Sequence, residues 1–265
     1  MASYLNNKVI WLTGASSGIG EAVAYELAEK GARLILSARR KDELDRVKGN
    51  CPSASQANIR LLPLDVAEAA TLPVIVEAAL QLFGNIDILI NNAGIGQSSL
   101  AKETGLETDR RIMEVDYFGA VALTKYLLPH FIQRGSGHVV VVSSVMGKMG
   151  TPYRSAYAAA KHALHGFFDS LRAELWADNK NLYVTMICPG WVRTNIGLHA
   201  LTGSGEPLNR PLQKGLRPDD LAKKMVHAIE KKKEEVFIGG PKERFAVNLK
   251  QFWPGMFSKM TRRTS

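Results

Sequence analysis

The feature that most constrains the fold is a repeated alternation of apolar runs with helical stretches. The first unit, KVIWLTGASSGIGEAVAYELAEKGARLILSARR, predicts a strand, a glycine-rich turn, an amphipathic helix and a second strand. Further apolar runs continue the alternation to about residue 190, and a last short strand follows near residue 237: IRLLPLDV, IDILINNAG, HVVVVSS, LYVTMICPG and FIGG. Strands joined through helices run parallel, so we predict an α/β fold with a doubly wound parallel sheet and helices on both faces.

Length and composition fit a single soluble domain. The chain has 265 residues, of which 46% are hydrophobic and 22% are charged. We predict one domain over residues 1–240 and a basic, apolar tail over residues 241–265. Within the domain, residues 191–215 lose helical and strand periodicity and gather Gly, Ser and Pro. A long loop of this kind predicts a substrate lid.

Cysteine usage and charge argue against several classes of protein. Cys51 and Cys188 lie far apart without metal-ligand spacing, so neither a disulfide framework nor a metal site is expected. No secretory signal opens the chain and no apolar run approaches the roughly 20 residues of a membrane span, so we expect a cytoplasmic protein. The net charge of +9 comes largely from the tail, where six basic residues accompany one acidic residue. No nucleic-acid-binding motif accompanies this charge, which favours a solvated or membrane-facing surface over nucleic-acid binding.

The turn TGASSGIG, at residues 13–20, is a candidate dinucleotide site. Its glycines let the backbone approach a pyrophosphate closely, and the following helix offers free N–H groups and the positive end of its dipole. An NAD site would present an acidic residue to the ribose about 20 residues later. Here the second strand ends in Ala38, Arg39 and Arg40, whose guanidinium groups suit a 2′-phosphate, so NADP(H) is the expected cofactor. The alternative is that the arginines only begin a solvated helix.

A candidate catalytic group lies between Ser144 and Lys161. Tyr157 and Lys161 are four residues apart in an alanine-rich helical run, so they stack on one helical face. A phenol is a poor proton exchanger at neutral pH, but a neighbouring ammonium favours the phenolate and makes the phenol a usable general acid or base. Ser144 ends the buried run HVVVVSS, at the strand edge where open α/β sheets bind ligands. The bare spacing also occurs by chance on helices, where the tyrosine only packs.

Six motifs occur in order along the chain: TGASSGIG, LDV at 64–66, NNAG at 91–94, Ser144, YAAAK and PGWVRT. Over roughly residues 5–240 they resemble the short-chain dehydrogenase/reductase family with the TGxxxGxG fingerprint, whose fold is of the Rossmann type. In overall character the chain is also similar to the dehydrogenase/reductase SDR family member 7 and 7B group. The resemblance implies an NADP(H)-dependent oxidoreductase that transfers a hydride between nicotinamide and a carbonyl or secondary alcohol. We expect it to reduce an apolar ketone or aldehyde.

The resemblance also implies a function for each matching residue. Tyr157 would be the general acid/base, Lys161 would stabilise its phenolate and hold the nicotinamide ribose, and Ser144 would hydrogen-bond the substrate oxygen. The implied cofactor contacts are Gly14, Ser16, Ser17, Ile19 and Gly20 for the phosphates, Asp65 and Val66 for the adenine, Asn92 and Gly94 with Ala93 between them for the ribose side, and Pro189, Gly190, Val192 and Thr194 for the nicotinamide.

One position departs from the family pattern. The family has Asn in an N-x-x-G pattern after NNAG, where this chain has Asp116-Tyr117-Phe118-Gly119. That Asn bends its helix and helps to fix a water that links the lysine to solvent, so we expect proton relay to change. An ionised Asp only accepts hydrogen bonds and brings negative charge toward Lys161. The alternative is that only backbone atoms matter there and Asp is a silent substitute.

Two surfaces are expected to contact partners. The resemblance implies a homodimer or homotetramer that pairs through the helices around 107–133 and 156–179. In the tail, Phe245, Leu249 and Phe252 share one predicted helical face beside basic residues, so we expect it to contact a membrane surface or to cover the active site. Alternatively, this face packs on its own domain or on a partner subunit.

Two further functions compete with catalysis. One is an NADP(H)-binding sensor or scaffold with little turnover, and the other is a membrane-surface or nucleic-acid partner in which catalysis is secondary. The sequence does not identify the substrate. Several apolar side chains would line either a substrate pocket or the core: Met146, Met149, Tyr153, Trp191, Ile196, Leu198 and Leu201.

Overall fold

Each predicted apolar run forms a strand in the computed structural model, which describes residues 3–178, 181–210 and 214–262. The strands are β1 (Val9–Thr13), β2 (Arg33–Ser37), β3 (Ile59–Leu61), β4 (Ile88–Asn91), β5 (Gly137–Val142), β6 (Leu182–Pro189) and β7 (Glu235–Ile238). They pair in parallel in the order β3-β2-β1-β4-β5-β6-β7. The predicted doubly wound parallel sheet is confirmed.

Helices connect the strands and cover both faces of the sheet. The α-helices of the described residues are α1 (Gly18–Glu29), α2 (Lys41–Asn50), α3 (Ser53–Gln56), α4 (Leu72–Phe83), α5 (Leu106–Met113), α6 (Gly119–Arg134), α7 (Ser155–Asp178), α8 (Ile196–His199), α9 (Pro218–Glu230), α10 (Pro241–Phe252) and α11 (Pro254–Arg262). A π-helical turn, Glu114–Phe118, joins α5 to α6.

Two apolar cores hold the layers together, one on each face of the sheet. Alternate residues of β1 divide between them: Ile10 and Leu12 enter the core beneath α1 and α9, whereas Val9 and Trp11 enter the core beneath α4, α6 and α7. All five residues of β1 are buried, as expected for a parallel strand with helices on both sides.

The strand order reverses between β1 and β4. Strand β1 pairs with β2 on one side and with β4 on the other, with Leu12 opposite both Leu36 and Ile90. The loops that leave β1 and β4 therefore diverge at the carboxyl edge and leave a crevice between them. Open α/β sheets bind their ligands at such a switch point.

The predicted lid is more ordered than an irregular loop. At its base the Leu216 N–H donates to the Trp191 carbonyl and the Arg193 N–H donates to the Leu216 carbonyl, both at 2.9 Å. At its tip the Leu201 N–H donates to the Gly96 carbonyl at 2.9 Å, so the segment docks on the loop after β4. Residues 211–213 of the lid lie outside the described residues.

The helices expected to pair between subunits are formed as α5, the π-helical turn, α6 and α7. Large apolar side chains on them, including Phe118, Tyr126 and Trp176, are exposed. Self-association stays a prediction, and Asn179, the expected end of the second helix, lies outside the described residues. Among the described helices, none combines the length and the apolar character needed to cross a membrane.

Candidate functional site

The glycine-rich turn lies at the carboxyl end of β1, beside the crevice. Gly14 and Gly18 have φ angles of 64° and 60°, in the left-handed region that other residues rarely adopt. A Cβ atom on Gly14 would lie 2.9 Å from the Asn92 Nδ2 atom, and one on Gly20 would collide with the Gly14 carbonyl. The turn therefore requires glycine for its close contacts. Ser16, Ser17 and Ile19 are partly exposed along it.

Thr13 and Asn92 fasten this turn to the NNAG segment that follows β4. The Thr13 Oγ1 atom accepts hydrogen bonds from the backbone N–H groups of Asn92 at 3.0 Å and Ala93 at 3.1 Å. The Asn92 side chain donates to the carbonyls of Thr13 and Gly14 at 3.0 and 3.1 Å. Thr13 is thus a positioning residue, and its only signal in the sequence is that it opens the glycine-rich motif.

Helix α7 carries the phenol and the ammonium on one face. Tyr157 is partly buried and Lys161 is buried, with the Lys161 Nζ atom 5.6 Å from the centroid of the Tyr157 ring. The Lys161 ammonium donates to the carbonyl of Val142, the last residue of β5, at 3.2 Å. The Lys161 ammonium therefore lies at the carboxyl end of β5, and Tyr157 lies one turn earlier on the same face of α7.

Ser144 follows β5 and precedes the tight 3₁₀ turn Val145–Gly147, which packs on α7. The Ser144 Oγ atom accepts a hydrogen bond from the Met146 N–H at 3.1 Å. Gly147 allows the close approach, because a Cβ atom there would lie 2.8 Å from the Lys161 carbonyl oxygen. The turn therefore places the serine hydroxyl beside the helix that carries Tyr157 and Lys161.

Asp116 forms a buried ion pair with Lys161. Its Oδ2 atom lies 3.1 Å from the Lys161 Nζ atom, and its Oδ1 atom accepts a 2.7 Å hydrogen bond from the Ile95 N–H. The π-helical turn Glu114–Phe118 holds Asp116 in this inward position, and turns of this type often occur at functional sites. A Cβ atom on Gly94 would lie 3.2 Å from the Oδ2 atom, so the NNAG segment passes directly over the pair.

Burial and mutual attraction both act on this pair. Burial raises the pKa of the Asp116 carboxyl, and the Lys161 ammonium and the Ile95 N–H offset only part of that effect. Burial alone would lower the pKa of Lys161, but Asp116 and Tyr157 raise it above its ordinary value. Lys161 therefore remains a fixed cation beside the phenol at neutral pH.

Gln97 fixes the start of helix α7, which carries Tyr157 and Lys161. Its side chain is fully buried, and its Oε1 atom accepts hydrogen bonds from the N–H groups of Ala156 at 2.8 Å and Tyr157 at 3.2 Å. These N–H groups belong to the first turn of α7, where helical partners are missing. Arg154 donates to the Gln97 carbonyl and packs over the Trp191 ring, 5.7 Å from its centroid. Nothing in the local sequence marks Gln97, because its partners lie about 60 residues later.

At the expected adenosine end, Arg39 and Asp65 line one surface cavity of about 440 Å³. Arg39 and Arg40 are exposed, and neither forms an ion pair with another described residue. Arg40 directly precedes α2, so it also begins the solvated helix of the alternative interpretation. The Asp65 carboxylate is held by Arg111 at 3.1 Å, and the buried Val66 packs against Gly119.

The segment predicted to hold the nicotinamide runs from the end of β6 to the glycine-rich turn. Pro189 ends β6, and the Gly190 N–H donates to the Ile238 carbonyl at 2.9 Å. A Cβ atom on Gly18 would lie 3.2 Å from the Thr194 side chain, so the start of the lid contacts the turn. Val192 is buried and pairs with Leu216 at the lid base.

The lid helix α8 approaches the arginine pair. Burial and the positive charges of Arg40 and Arg39 lower the pKa of His199, the last residue of that helix. The tip of α8 therefore lies within electrostatic range of both arginines. The lid spans the site from the glycine-rich turn to the end of β2.

Met146 and Met149, which the sequence assigned either to a substrate pocket or to the core, are buried beneath the tail. Met146 and Met149 form one apolar cluster with Leu249 of α10 and Phe257 of α11, and Tyr157 packs against it. The other candidate pocket residues divide: Tyr153, Trp191 and Ile196 are exposed, whereas Leu198 and Leu201 are partly buried.

Three side chains that suit metal binding also meet near β6, although their spacing in the sequence did not suggest it. His165, Cys188 and Glu235 each bring one ligand atom within 4.8 Å of the others. Burial raises the pKa of Cys188 to about 12 and lowers that of His165 to about 4, so both are neutral near pH 7. The His165 Nε2 atom already contacts the Ser143 hydroxyl at 3.1 Å, and Lys148 holds Glu235 at 2.8 Å. We interpret the cluster as polar packing.

Comparison with known proteins shows the family of the chain. The family described as short chain dehydrogenase matches residues 8–201. A Drosophila melanogaster protein, dehydrogenase/reductase SDR family protein 7-like, is 41% identical over 259 residues, which are 96% of this chain and 79% of the relative. The Bos taurus dehydrogenase/reductase SDR family member 7B is 38% identical over 268 residues, 98% of this chain and 82% of the relative. The resemblance to the member 7 and 7B group is confirmed.

Solved structures share the fold. A short chain dehydrogenase/reductase from Burkholderia phymatum in complex with NAD is 25% identical with a TM-score of 0.84, over 93% of this chain and 94% of that one. A short-chain dehydrogenase from Sphingobium yanoikuyae in complex with NADPH is 29% identical with a TM-score of 0.76, over 87% of each chain. The two neighbours hold different nucleotides.

The buried ion pair predicts a large stability effect at Asp116. Replacing Asp116 by Ala leaves the Lys161 ammonium buried without its anion, which should lower the free energy of unfolding by about 3–5 kcal/mol. As a matched control, Glu107→Ala removes the exposed partner of Arg110 and should cost about 1 kcal/mol or less. Denaturant unfolding of both variants measures the difference. Equal effects would show that the Asp116 pair is not the buried contact described above.

Proposed function

The chain belongs to the short-chain dehydrogenase/reductase family of oxidoreductases, and we propose that it reduces an apolar ketone or aldehyde with NADPH, using Tyr157 as the general acid. The observation that carries this proposal is the arrangement of Tyr157 and Lys161 on one face of α7 beside Ser144, at the carboxyl edge of β5. A hydroxyl, a phenol and a fixed ammonium together suit proton transfer at a carbonyl oxygen.

The residues of the crevice fit a dinucleotide. Gly14, Gly18 and Gly20 occupy positions where a Cβ atom would approach neighbouring atoms closely, which gives the narrow turn that a pyrophosphate needs. The turn and the start of α1 would hold the phosphates, Asp65 and Val66 the adenine, and Lys161 the nicotinamide ribose. When bound, the cofactor supplies the hydride.

The chemistry of the protein is then a proton transfer. Tyr157 donates its phenolic proton to the carbonyl oxygen as the carbonyl carbon receives the hydride, and the product is an alcohol. The ammonium of Lys161 stabilises the phenolate that this step leaves. The Ser144 hydroxyl donates a hydrogen bond to the same oxygen and orients it before the transfer.

Asp116 favours the direction of reduction. Its negative charge holds Lys161 protonated and opposes formation of a second negative charge on Tyr157. A neutral Asn in this position would not oppose the phenolate in this way. A protonated phenol is the form that reduction uses, whereas alcohol oxidation needs the phenolate.

The preference for NADPH rests on Arg39 and Arg40. Both are exposed at the end of β2 without an ion-pair partner among the described residues, and Arg39 lines the cavity that Asp65 shares. A 2′-phosphate would supply the anion that these guanidinium groups lack.

An apolar substrate is favoured by what surrounds the phenol. Tyr157 packs against the buried apolar cluster that contains Met146 and Met149, so the surroundings of the phenol are apolar on that side. The second candidate function, a nucleotide-binding sensor with little turnover, is favoured only by Asp116 in place of the family Asn. Because Asp116 retains the lysine in position, reduction remains the better-supported function.

The arginine pair predicts cofactor choice. NADPH should bind more tightly than NADH, and Arg39→Ala should weaken NADPH binding by about 1.5–3 kcal/mol through loss of one charge-assisted contact. Binding of NADH, which lacks the phosphate, should hardly change and serves as the internal control. Ala38→Asp should shift the preference toward NADH through repulsion. Titrations that give equal affinities of the wild type for both nucleotides would contradict the assignment.

The catalytic assignment predicts a separation of turnover from binding. Tyr157→Phe removes the exchangeable proton and keeps the ring, so ketone reduction should be abolished while NADPH affinity stays nearly intact. Lys161→Ala should lower both the reduction rate and the NADPH affinity, because the lysine would stabilise the phenolate and hold the nicotinamide ribose. Rates and nucleotide titrations on the same preparations measure the two effects. Substantial turnover by Tyr157→Phe would show that another group donates the proton.

Asp116 predicts a displaced pH profile. In Asp116→Asn the negative charge is lost while an oxygen remains to accept the Ile95 N–H, so no buried carboxylate opposes the phenolate that alcohol oxidation needs. The apparent pKa of the pH profile for alcohol oxidation should fall relative to the wild type. Glu107→Gln, which removes an exposed charge on α5, is the matched control and should leave the profile unmoved. An unchanged pH profile in Asp116→Asn would favour the alternative that Asp116 replaces the family Asn without affecting the reaction.

A further inference from the structure

The last two helices expose an unusual concentration of large apolar side chains. Five of the fifteen exposed large apolar residues of the described chain fall within residues 245–260, and four of the five are about 60% exposed. We call these five the C-terminal patch: Phe245, Phe252, Trp253, Met256 and Met260. Contiguous exposed apolar surface of this kind usually marks an interaction site.

The patch follows one face of each helix and the corner between them. Phe245 and Phe252 are two turns apart on α10, and Met256 and Met260 are one turn apart on α11, so each pair shares a helical face. Trp253 occupies the corner between the two helices, where its ring meets that of Phe252 edge to face with the centroids 6.0 Å apart. The sequence had placed Leu249 on the same face, but the structure buries it beneath α10.

The charges around the patch are almost all positive. Within the described tail, Glu243 is the only acidic residue, and it is directed inward, where its Oε1 atom accepts the Trp191 N–H at 3.4 Å. Lys242, Arg244 and Lys250 on α10 are exposed, and so is Lys259 on α11. An apolar strip with a basic border is therefore what the two helices present to their surroundings.

The flank of the same helices that adjoins the patch packs toward the catalytic tyrosine. Leu249 and Phe257 are buried against the turn after Ser144, in the cluster on which Tyr157 packs. The tail therefore links two neighbouring surfaces: its buried flank borders the site where the carbonyl would react, and the flank beside it is exposed and apolar.

We propose that the C-terminal patch docks on an anionic lipid bilayer, and that the substrate is an apolar carbonyl compound dissolved in that bilayer. The second part rests on the proposed function. An amphipathic helix pair with aromatic residues on one face and basic residues beside them is suited to lie in the membrane interface. The basic border complements anionic headgroups, and Trp253 has the amphipathic ring that interfaces favour. A second copy of the chain would face the same positive border, which disfavours self-pairing through this patch.

The test is sedimentation of the 265-residue chain with vesicles. Vesicles of phosphatidylcholine in which a third of the lipid is phosphatidylserine should retain the protein, and vesicles of phosphatidylcholine alone should retain it far less. The double variant Phe252→Gln with Trp253→Gln should lose roughly tenfold or more of its vesicle affinity, and Lys250→Gln roughly fivefold. Trp176→Gln, which changes a tryptophan of similar exposure on α7, is the matched control and should bind as the wild type does.

Activity on two ketones separates this inference from the proposed function. The double variant should reduce a water-soluble ketone at the wild-type rate, but it should reduce a ketone held in anionic vesicles several-fold more slowly. If the wild type reduces neither ketone, the proposed reaction fails while vesicle sedimentation still decides whether the patch binds lipid.

Three results would overturn the docking proposal. The first is no retention of the wild type by anionic vesicles, and the second is equal retention of the double variant. The third is a lipid-free wild-type oligomer that the double variant converts to a smaller species without any vesicle binding by either, because the patch would then be a contact between copies of the chain.

Discussion

The buried contact between Lys161 and Asp116 joins the elements on which the site depends. The ammonium lies 3.1 Å from the Asp116 carboxylate and 3.2 Å from the Val142 carbonyl, so α7, the π-helical turn and the end of β5 meet at one atom. A buried cation without a partner is costly, and the structure therefore fixes all three elements relative to one another. This arrangement also positions the phenol of Tyr157, because Tyr157 lies one turn earlier on the same helix.

Close backbone contacts place the cofactor crevice against this centre. Thr13 and Asn92 tie the glycine-rich turn to the NNAG segment, and Gly94 of that segment passes directly over the ion pair. The same residues that would hold a nucleotide are thus connected through one peptide segment to the lysine that serves the phenol. The NNAG segment therefore positions both the glycine-rich turn, which would bind the nucleotide, and the buried ion pair beside the phenol.

The fold could be predicted from the sequence because its signals are local. Each strand is a short apolar run, and the glycine-rich turn and the spacing of Tyr157 and Lys161 depend on neighbours within one element. What could not be predicted depends on contacts between distant segments. Gln97 caps a helix that begins about 60 residues later, and Leu249 is buried whereas Phe252 on the same predicted face is exposed, because only the folded domain decides which flank of α10 it covers. The inward direction of Asp116 likewise follows from a π-helical turn that the sequence pattern does not reveal.

The central claim is that this protein transfers a hydride to a carbonyl carbon, and isotope transfer tests it most directly. The purified protein would be incubated with NADPH that carries deuterium at the transferable position and with a panel of apolar ketones and aldehydes, and the products would be analysed by mass spectrometry. The account predicts an alcohol that contains one deuterium for each NADPH oxidised, bound to the former carbonyl carbon. Tight NADPH binding without any deuterated product across the panel would contradict it and favour a nucleotide-binding sensor.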